Sequence, residues 1–378
     1  MRKVVVLGST GSVGKSSLEV IEKNNDKYEI ACLVAFSNED LIQAQAKRHK
    51  KAKIYVEKPR DKLSTKKIIN KNDLLKLISS KDIDTVIAAI SGSDGLELIH
   101  HSILSGKKVL IANKEPLVMA GEFIVNEAEK HGAQIIPIDS EHCAIHQCLK
   151  NIEREDLNRI IITCSGGPFL GKKITNFNEV SVEDALNHPV WKMGTKNLID
   201  SASLMNKALE IIEAKWLFDL KSEQIDVIIH PQSIIHSMVE TKDNSILSVM
   251  SEPDMKICIA YGLGFPRKIK SLSKPLSLIE NNLLEFINID QIDFPSIKFA
   301  RDALTSGGLM PAVLNAANEI AVEKFINNEI KFDLIFDTIK HVMEKFDKEN
   351  SKIDPSLEQI LEANEKARLF SLNYIKKI

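Results

Sequence analysis

Three glycines recur at every third position near the start of the chain, in Gly8-Ser9-Thr10-Gly11-Ser12-Val13-Gly14. Without a Cβ, the backbone can approach a phosphate closely, and a helix beginning there adds N–H donors and the positive end of its dipole. The spacing is not the commoner G-x-G-x-x-G. Its weight comes from an apolar strand before it, a helical pattern after it and further strand–helix alternation beyond. The plain alternative is a tight turn that holds no ligand. Gly14-Lys15-Ser16 also imitates the end of a nucleoside-triphosphate loop, but that motif needs a glycine where Ser9 stands. A dinucleotide is therefore expected. The second strand ends Val34-Ala35-Phe36-Ser37-Asn38 with no acid at its tip for a ribose 2′-hydroxyl, although Glu39 and Asp40 follow. Ser37 and Asn38 can donate to a 2′-phosphate. This favours NADP, although no Arg or Lys occupies the tip.

A second set of reactive side chains follows the sixth apolar segment, in Asp139-Ser140-Glu141-His142. In an extended chain Asp139 and Glu141 share one side, and two carboxylates suit a hard cation such as Mg²⁺ or Mn²⁺. Equally, Asp139 or Ser140 caps a helix that begins near Glu141; the local sequence leaves both readings open. Ser165-Gly166-Gly167 follows a strand and offers a hydroxyl beside flexible backbone. Ser201, Asn206 and Lys207 open a helix, with Glu210 on the same face as Asn206 and Lys207. That face suits a phosphate and a metal; the alternative is an exposed helix with a surface Lys–Glu pair. His188-Pro189-Val190-Trp191-Lys192-Met193-Gly194 reads as a mobile lid or as a structural loop with Trp191 in the core. His236, after His230-Pro231, is either functional or a satisfied core histidine.

These groups need a scaffold. Residues 3–7, 29–35, 53–57, 85–90, 108–112 and 134–138 read as short buried strands, with helical patterns at 12–23, 38–48, 71–79, 96–104 and 117–131. Such alternation predicts βαβ units and a mostly parallel sheet, a Rossmann-like α/β domain over residues 1–138. The basic stretch 58–71 reads as a solvated connection. An α+β domain is expected over 139–266, with strands at 159–164, 225–229, 234–240 and 245–250 and a helix at 203–218. A linker is expected over 267–294. A C-terminal α-helical domain over 295–378 has helices at 296–306, 311–327, 333–346 and 355–371, with Pro311 and Pro355 in first turns.

The 378 residues include 44% hydrophobic side chains, enough for sizeable cores, and the net charge of −2 argues against a protein that coats nucleic acid or anionic membrane. The five cysteines, Cys32, Cys143, Cys148, Cys164 and Cys258, lack zinc or disulfide spacing and are expected to be free thiols in a reducing compartment. No apolar run suggests a transmembrane helix. Met1-Arg2-Lys3 runs straight into a strand, leaving no room for a targeting segment. The expected location is a bacterial cytoplasm, or an organelle stroma if a leader was removed.

Taken in order, the motifs resemble the 1-deoxy-D-xylulose 5-phosphate reductoisomerase family over essentially the whole chain. The resemblance rests on Gly8 to Gly14, Asn113-Lys114-Glu115, Asp139-Ser140-Glu141-His142, residues 165–169, His188 to Gly194, Asp200 to Lys207 with Glu210, His230 to His236, and Asn315-Ala316-Ala317-Asn318-Glu319. It implies a homodimer of three-domain chains. NADPH would be contacted by Gly8, Thr10, Gly11, Ser12, Val13, Asn38, Asn113, Glu115 and Gly194. A divalent cation (Mg²⁺ or Mn²⁺, with Co²⁺ as a further candidate) would be held by Asp139, Glu141 and Glu210. Substrate contacts would come from Lys114, Ser140, Glu141, Ser165, His188, Trp191, Ser201, Asn206, Lys207 and Glu210, with Lys114, Glu141 and His188 as the catalytic groups. Of these, Ser165, Ser201, Asn206 and Lys207 would hold the phosphate, and His188 and Trp191 would ride on a closing loop. The implied reaction rearranges the linear ketose phosphate to a branched aldehyde and reduces it to 2-C-methyl-D-erythritol 4-phosphate, for isoprenoid precursor synthesis. Departures from the family pattern are Phe36 and Ser37 beside Asn38, Pro116, Cys143, Glu252 and Lys256. None removes an expected metal or phosphate ligand.

Two other readings remain at this level. Another NADP-dependent oxidoreductase, of the semialdehyde or homoserine dehydrogenase type, would not need Asp139, Glu141 and Glu210 together with the Ser201–Lys207 segment. A regulatory or scaffold protein that kept the fold would be expected to have lost ligands.

Overall fold

The computed structural model describes residues 1–59, 68–171, 177–191, 193–289, 294–347 and 354–378. The chain begins with β1 (Arg2–Leu7), α1 (Ser12–Lys23), β2 (Tyr28–Ala35), α2 (Glu39–Arg48), β3 (Lys53–Val56) and α3 (Lys71–Ser79). It continues through β4 (Thr85–Ala88), α4 (Leu96–Leu104), β5 (Lys108–Ile111), α5 (Glu115–His131), β6 (Gln134–Pro137) and α6 (Ser140–Leu149). Next come β7 (Leu157–Cys164), α7 (Val182–Leu186), α8 (Thr195–Ala202), α9 (Met205–Phe218), β8 (Ile225–Ile229), β9 (Ile235–Thr241) and β10 (Ile246–Met250). The rest is α10 (Met255–Gly264), β11 (Ile287–Asn288), α11 (Ser296–Ser306), α12 (Met310–Ile326), α13 (Asp333–Asp347) and α14 (Leu357–Ile375). Parts of the expected connection 58–71, the 267–294 linker and the 188–194 loop lie outside the described residues.

The residues group into two compact units. One holds Met1–Pro116, Ile124–Cys143 and Asp254–Pro275; the other holds Leu117–Phe123, Ala144–Pro253 and Leu276–Ile378. In the first, six parallel strands are ordered β3-β2-β1-β4-β5-β6. Strand alternation sends Val4 and Val6 to one core and Val5 and Leu7 to the other. Both faces are therefore covered, which is why these strands read as unbroken apolar runs. α10 closes one face through Cys258, Ile259 and Leu263. The helix thus groups with the first unit, although the sequence-based division at 266 places it with the second domain. Its run Met255-Lys256-Ile257-Cys258-Ile259-Ala260-Tyr261 has almost no polar side, so periodicity does not reveal it.

The second unit has a mixed sheet ordered β10-β9-β7-β8-β11, in which β7 runs parallel to β8 and antiparallel to β9. One core joins β7 (Ile160, Ile162), α9 (Leu209, Ile212) and the C-terminal helices (Val313, Ala317, Phe332). The expected α/β, α+β and all-helical textures are all present. Within the sequence-based linker, Ile287–Asn288 pairs with β8, a two-residue strand too short for a periodic signal. All five cysteines are buried free thiols.

Candidate active site

The glycine segment leaves β1 between β2 and β4, where the strand order of the first sheet reverses and a parallel sheet opens its ligand crevice. Gly8 has φ +78°, and a Cβ there would lie 2.2 Å from the Ala89 carbonyl oxygen. A Cβ on Gly14 would lie 2.2 Å from the Gly8 carbonyl oxygen. These two glycines are thus demanded by close backbone packing, which holds the turn tight at the start of α1. Gly11, the N-cap, gives α1 no side-chain cap, and its first turn carries no acid. Its N–H groups and dipole suit an anion. Thr10, Gly11, Ser12 and Val13 lie on this turn, the two middle ones exposed. Asn38 caps α2, its Oδ1 accepting from the Leu41 N–H at 3.1 Å. Asn113, just past β5, is buried; its Nδ2 donates to the Gly92 carbonyl at 3.4 Å while its Oδ1 has no partner. Glu115 begins α5 and is buried. Gly194 belongs to the second unit, at the N-terminus of α8.

Asp139 and Glu141 straddle a strand-to-helix turn: β6 ends at Pro137 and α6 begins at Ser140. Glu141 is helical, so the extended-chain argument for a shared side does not apply. Asp139 Oδ1 accepts the Ser140 N–H at 3.1 Å, while its Oδ2 lies 2.9 Å from Lys114 Nζ and 3.6 Å from His142 Nδ1. Burial opposes ionisation of Asp139, but the Lys114 ammonium and His142 outweigh it and hold the carboxyl well below the usual carboxylate range. The Ser140 hydroxyl donates to Glu141. Lys114, Asp139, Ser140 and Glu141 are thus consecutive parts of one polar group in the first unit.

The second unit gathers the expected phosphate residues. Lys207 Nζ donates to the Thr163 carbonyl at 2.7 Å, tying the start of α9 to the end of β7. It also lies 2.5 Å from Glu210 Oε2, and Asn206 Nδ2 donates to the same carboxylate. Lys207 is 3% exposed and Glu210 is 0% exposed, which rules out the surface-pair reading. Gly167 has φ +68°, and a Cβ there would sit 2.9 Å from the Ser201 carbonyl; glycine brings the Ser165 loop against α8. Between α8 and α9, Leu204 adopts φ 60°, ψ 7°, a left-handed conformation that β- or γ-branched side chains rarely take. The kink sets Lys207 about one turn and Glu210 about two turns beyond it.

His188 Nδ1 accepts two backbone N–H groups, from Val190 at 3.1 Å and Trp191 at 2.9 Å. Its proton therefore sits on Nε2, which donates to Ser165 Oγ at 3.0 Å. Burial lowers its pKa, in keeping with a neutral ring. The Trp191 ring lies 6.3 Å from that of His236, whose Nε2 meets Ser251 Oγ at 2.8 Å. Lys192 lies outside the described residues. The buried Asp200, next to Ser201, pairs with Lys196 one turn earlier on α8 at 2.6 Å; its second contact, from Asn318 of α12 at 2.8 Å, has no local signal in the sequence.

Comparison with known proteins agrees along the chain. Residues 4–121 match the family profile described as 1-deoxy-D-xylulose 5-phosphate reductoisomerase. Residues 135–218 and 250–370 match its two C-terminal domain profiles. A protein of that name from Thermodesulfovibrio yellowstonii is 44% identical over 375 residues, covering 97% of this chain and 98% of the relative. One from Endomicrobium trichonymphae is 41% identical, covering 100% of both. A crystal structure of DOX-P reductoisomerase with NADPH, fosmidomycin and magnesium superposes with a TM-score of 0.92 at 38% identity, covering 100% of this chain and 98% of that one. The enzyme from Zymomonas mobilis with NADPH gives a TM-score of 0.88 at 36% identity, covering 100% of both chains.

Proposed function

We propose how these groups work from one premise: the chain belongs to the 1-deoxy-D-xylulose 5-phosphate reductoisomerase family. It is an NADPH- and divalent-metal-dependent enzyme that rearranges and reduces 1-deoxy-D-xylulose 5-phosphate to 2-C-methyl-D-erythritol 4-phosphate. The residues present fit both groups. For the dinucleotide, the uncapped start of α1 offers N–H donors and the buried Asn113 Oδ1 offers an unsatisfied acceptor. For the cation, Asp139, Glu141 and Glu210 supply the oxygen donors that a hard ion takes.

In this account Gly8, Thr10, Gly11, Ser12, Val13, Asn38, Asn113, Glu115 and Gly194 hold NADPH. Asp139, Glu141 and Glu210 hold the cation, magnesium or manganese. When bound, the two supply hydride and positive charge at the substrate's oxygens. The chain's own residues do the rest. Ser165, Ser201, Asn206 and Lys207 bind the phosphate, remote from the reacting carbons, and so keep the substrate in register. Lys114 adds positive charge beside the oxygens that become negative. Glu141, bonded to Ser140, is placed for proton transfer. His188, with Trp191, covers the phosphate end and excludes water.

The observation that carries this reading is Glu210. A fully buried carboxylate shares one helix face with Asn206 and Lys207, beside a loop that carries Ser165. The test follows NADPH absorbance with 1-deoxy-D-xylulose 5-phosphate and Mg²⁺, then with excess chelator. Oxidation should need both substrate and metal, and Glu210→Gln should abolish it while NADPH binding persists. Metal-independent oxidation would point instead to a dehydrogenase of another type.

The homodimer belongs to the same proposal. In the second unit β10 is an edge strand with Ile246, Leu247 and Met250 exposed, and Leu278, Ile279, Leu283 and Phe286 are exposed as well, Ile279 at 89%. Apolar side chains on an open sheet edge favour burial by a second copy. No helix among the described residues is long and apolar enough to cross a membrane. A bacterial cytoplasmic setting completes the proposal.

A further inference from the structure

The β2 tip is where an adenosine ribose lies in such folds, and its side chains decide whether a 2′-phosphate is accepted. Here the tip offers Phe36, Ser37 and Asn38, with no cationic residue among them, and Asn38 Oδ1 is used in capping α2. The cation comes from the neighbouring strand. Beyond β3 the chain stays paired with the β2 tip: the Glu57 N–H donates to the Ala35 carbonyl at 3.1 Å and the Lys58 N–H to the Phe36 carbonyl at 2.7 Å. Lys58 then folds over the Phe36 ring, its Nζ 4.8 Å from the ring centroid. Phe36 is 45% exposed, unusual for a large aromatic, and the cation–π contact gives it a role. Glu57, the adjacent carboxylate, is turned to Tyr55, whose hydroxyl donates to it at 2.6 Å. The other acids nearby, Glu39 and Asp40, lie in the first turn of α2 beyond the cap.

We propose that Lys58, held over Phe36, is the residue that selects the 2′-phosphate of NADPH, supplying from the end of β3 the positive charge that the β2 tip lacks. The inference rests on the dinucleotide reading above. The two backbone hydrogen bonds fix the main chain at Lys58, and the Phe36 ring holds its ammonium near the β2 tip, where it can meet the phosphate. The contact is solvent-exposed and should weaken as salt rises.

The test is direct binding of NADPH and NADH, read by nucleotide fluorescence without substrate or metal. Lys58→Gln should weaken NADPH binding by roughly ten- to a hundredfold, the size of a lost hydrogen bond to a charged group. NADH should change less than about twofold, and Lys58→Arg should stay close to the parent. Unchanged NADPH affinity, or an equal loss for both nucleotides, would overturn the assignment. Parent protein that binds neither nucleotide would instead overturn the dinucleotide reading itself, so the two failures are distinguishable.

Discussion

The side-chain amide of Asn318 donates to the carboxylate of Asp200 over 2.8 Å, although 118 residues separate them and both side chains are buried. Asp200 precedes Ser201, so a helix of the C-terminal region steadies the last turn of α8, which carries Ser201, a residue proposed above to hold the phosphate. Asn318→Leu keeps the branched shape and removes the donor. A hydrogen bond to a charged group contributes about 1.5–3 kcal/mol, so unfolding free energy should fall by about that much. The KM for substrate should rise more than kcat falls. An unchanged KM would confine the contact to stability.

His188 gives a sharper pair of variants. Asparagine can keep an acceptor near the place of Nδ1, as in turns where its Oδ1 takes a following N–H, while glutamine keeps a donor near Nε2 and loses the turn. The chain has two tryptophans, so a Trp216→Phe background leaves Trp191 as the reporter. His188→Asn should retain the parent emission and His188→Gln should shift it toward that of exposed indole. KM should rise about tenfold in both, each having lost one half of the arrangement. Identical emission from the two variants would refute the role of His188 Nδ1 in holding the Val190–Trp191 turn.

Gly14 is demanded by packing alone. A methyl group there would meet the Gly8 carbonyl oxygen at 2.2 Å and Ser9 Cα at 2.6 Å, all backbone. Gly14→Ala should cost about 1–3 kcal/mol of stability and weaken NADPH and NADH alike, unlike a change at Lys58. Denaturant unfolding and nucleotide titration check both halves.

Burial, helped by Lys150, pushes the pKa of His146 down to about 4. In the unfolded chain the ring titrates near about 6.5. Between those values the unfolded chain binds more protons, so the contribution is complete above pH about 6.5 and is lost as pH falls toward about 4. The loss is on the order of 3 kcal/mol. His146→Gln should flatten the acid limb of stability against pH; an unchanged slope would assign it to other groups.

What could be read in advance follows from locality. The six parallel strands were legible because each is a short apolar run bounded by turn residues, and the α9 face was legible because Asn206, Lys207 and Glu210 lie within one turn. Spacing could not show that Lys207 and Glu210 are buried, since the same pattern suits a surface helix. α10 stayed hidden because it is buried nearly all round. Lys58 over Phe36 and Asn318 on Asp200 are products of strand order and helix packing, which no window of sequence contains. The left-handed Leu204 breaks a local rule between α8 and α9, beside the residues proposed to hold the phosphate, and strained backbone often lies near function.

The most direct measurement uses NADPH carrying deuterium on the transferred position, with 1-deoxy-D-xylulose 5-phosphate and Mg²⁺, followed by analysis of the product's carbon skeleton and label. The account predicts a branched product, 2-C-methyl-D-erythritol 4-phosphate, with one deuterium on the carbon reduced from the aldehyde. A linear deuterated polyol phosphate, from reduction without rearrangement, would contradict it.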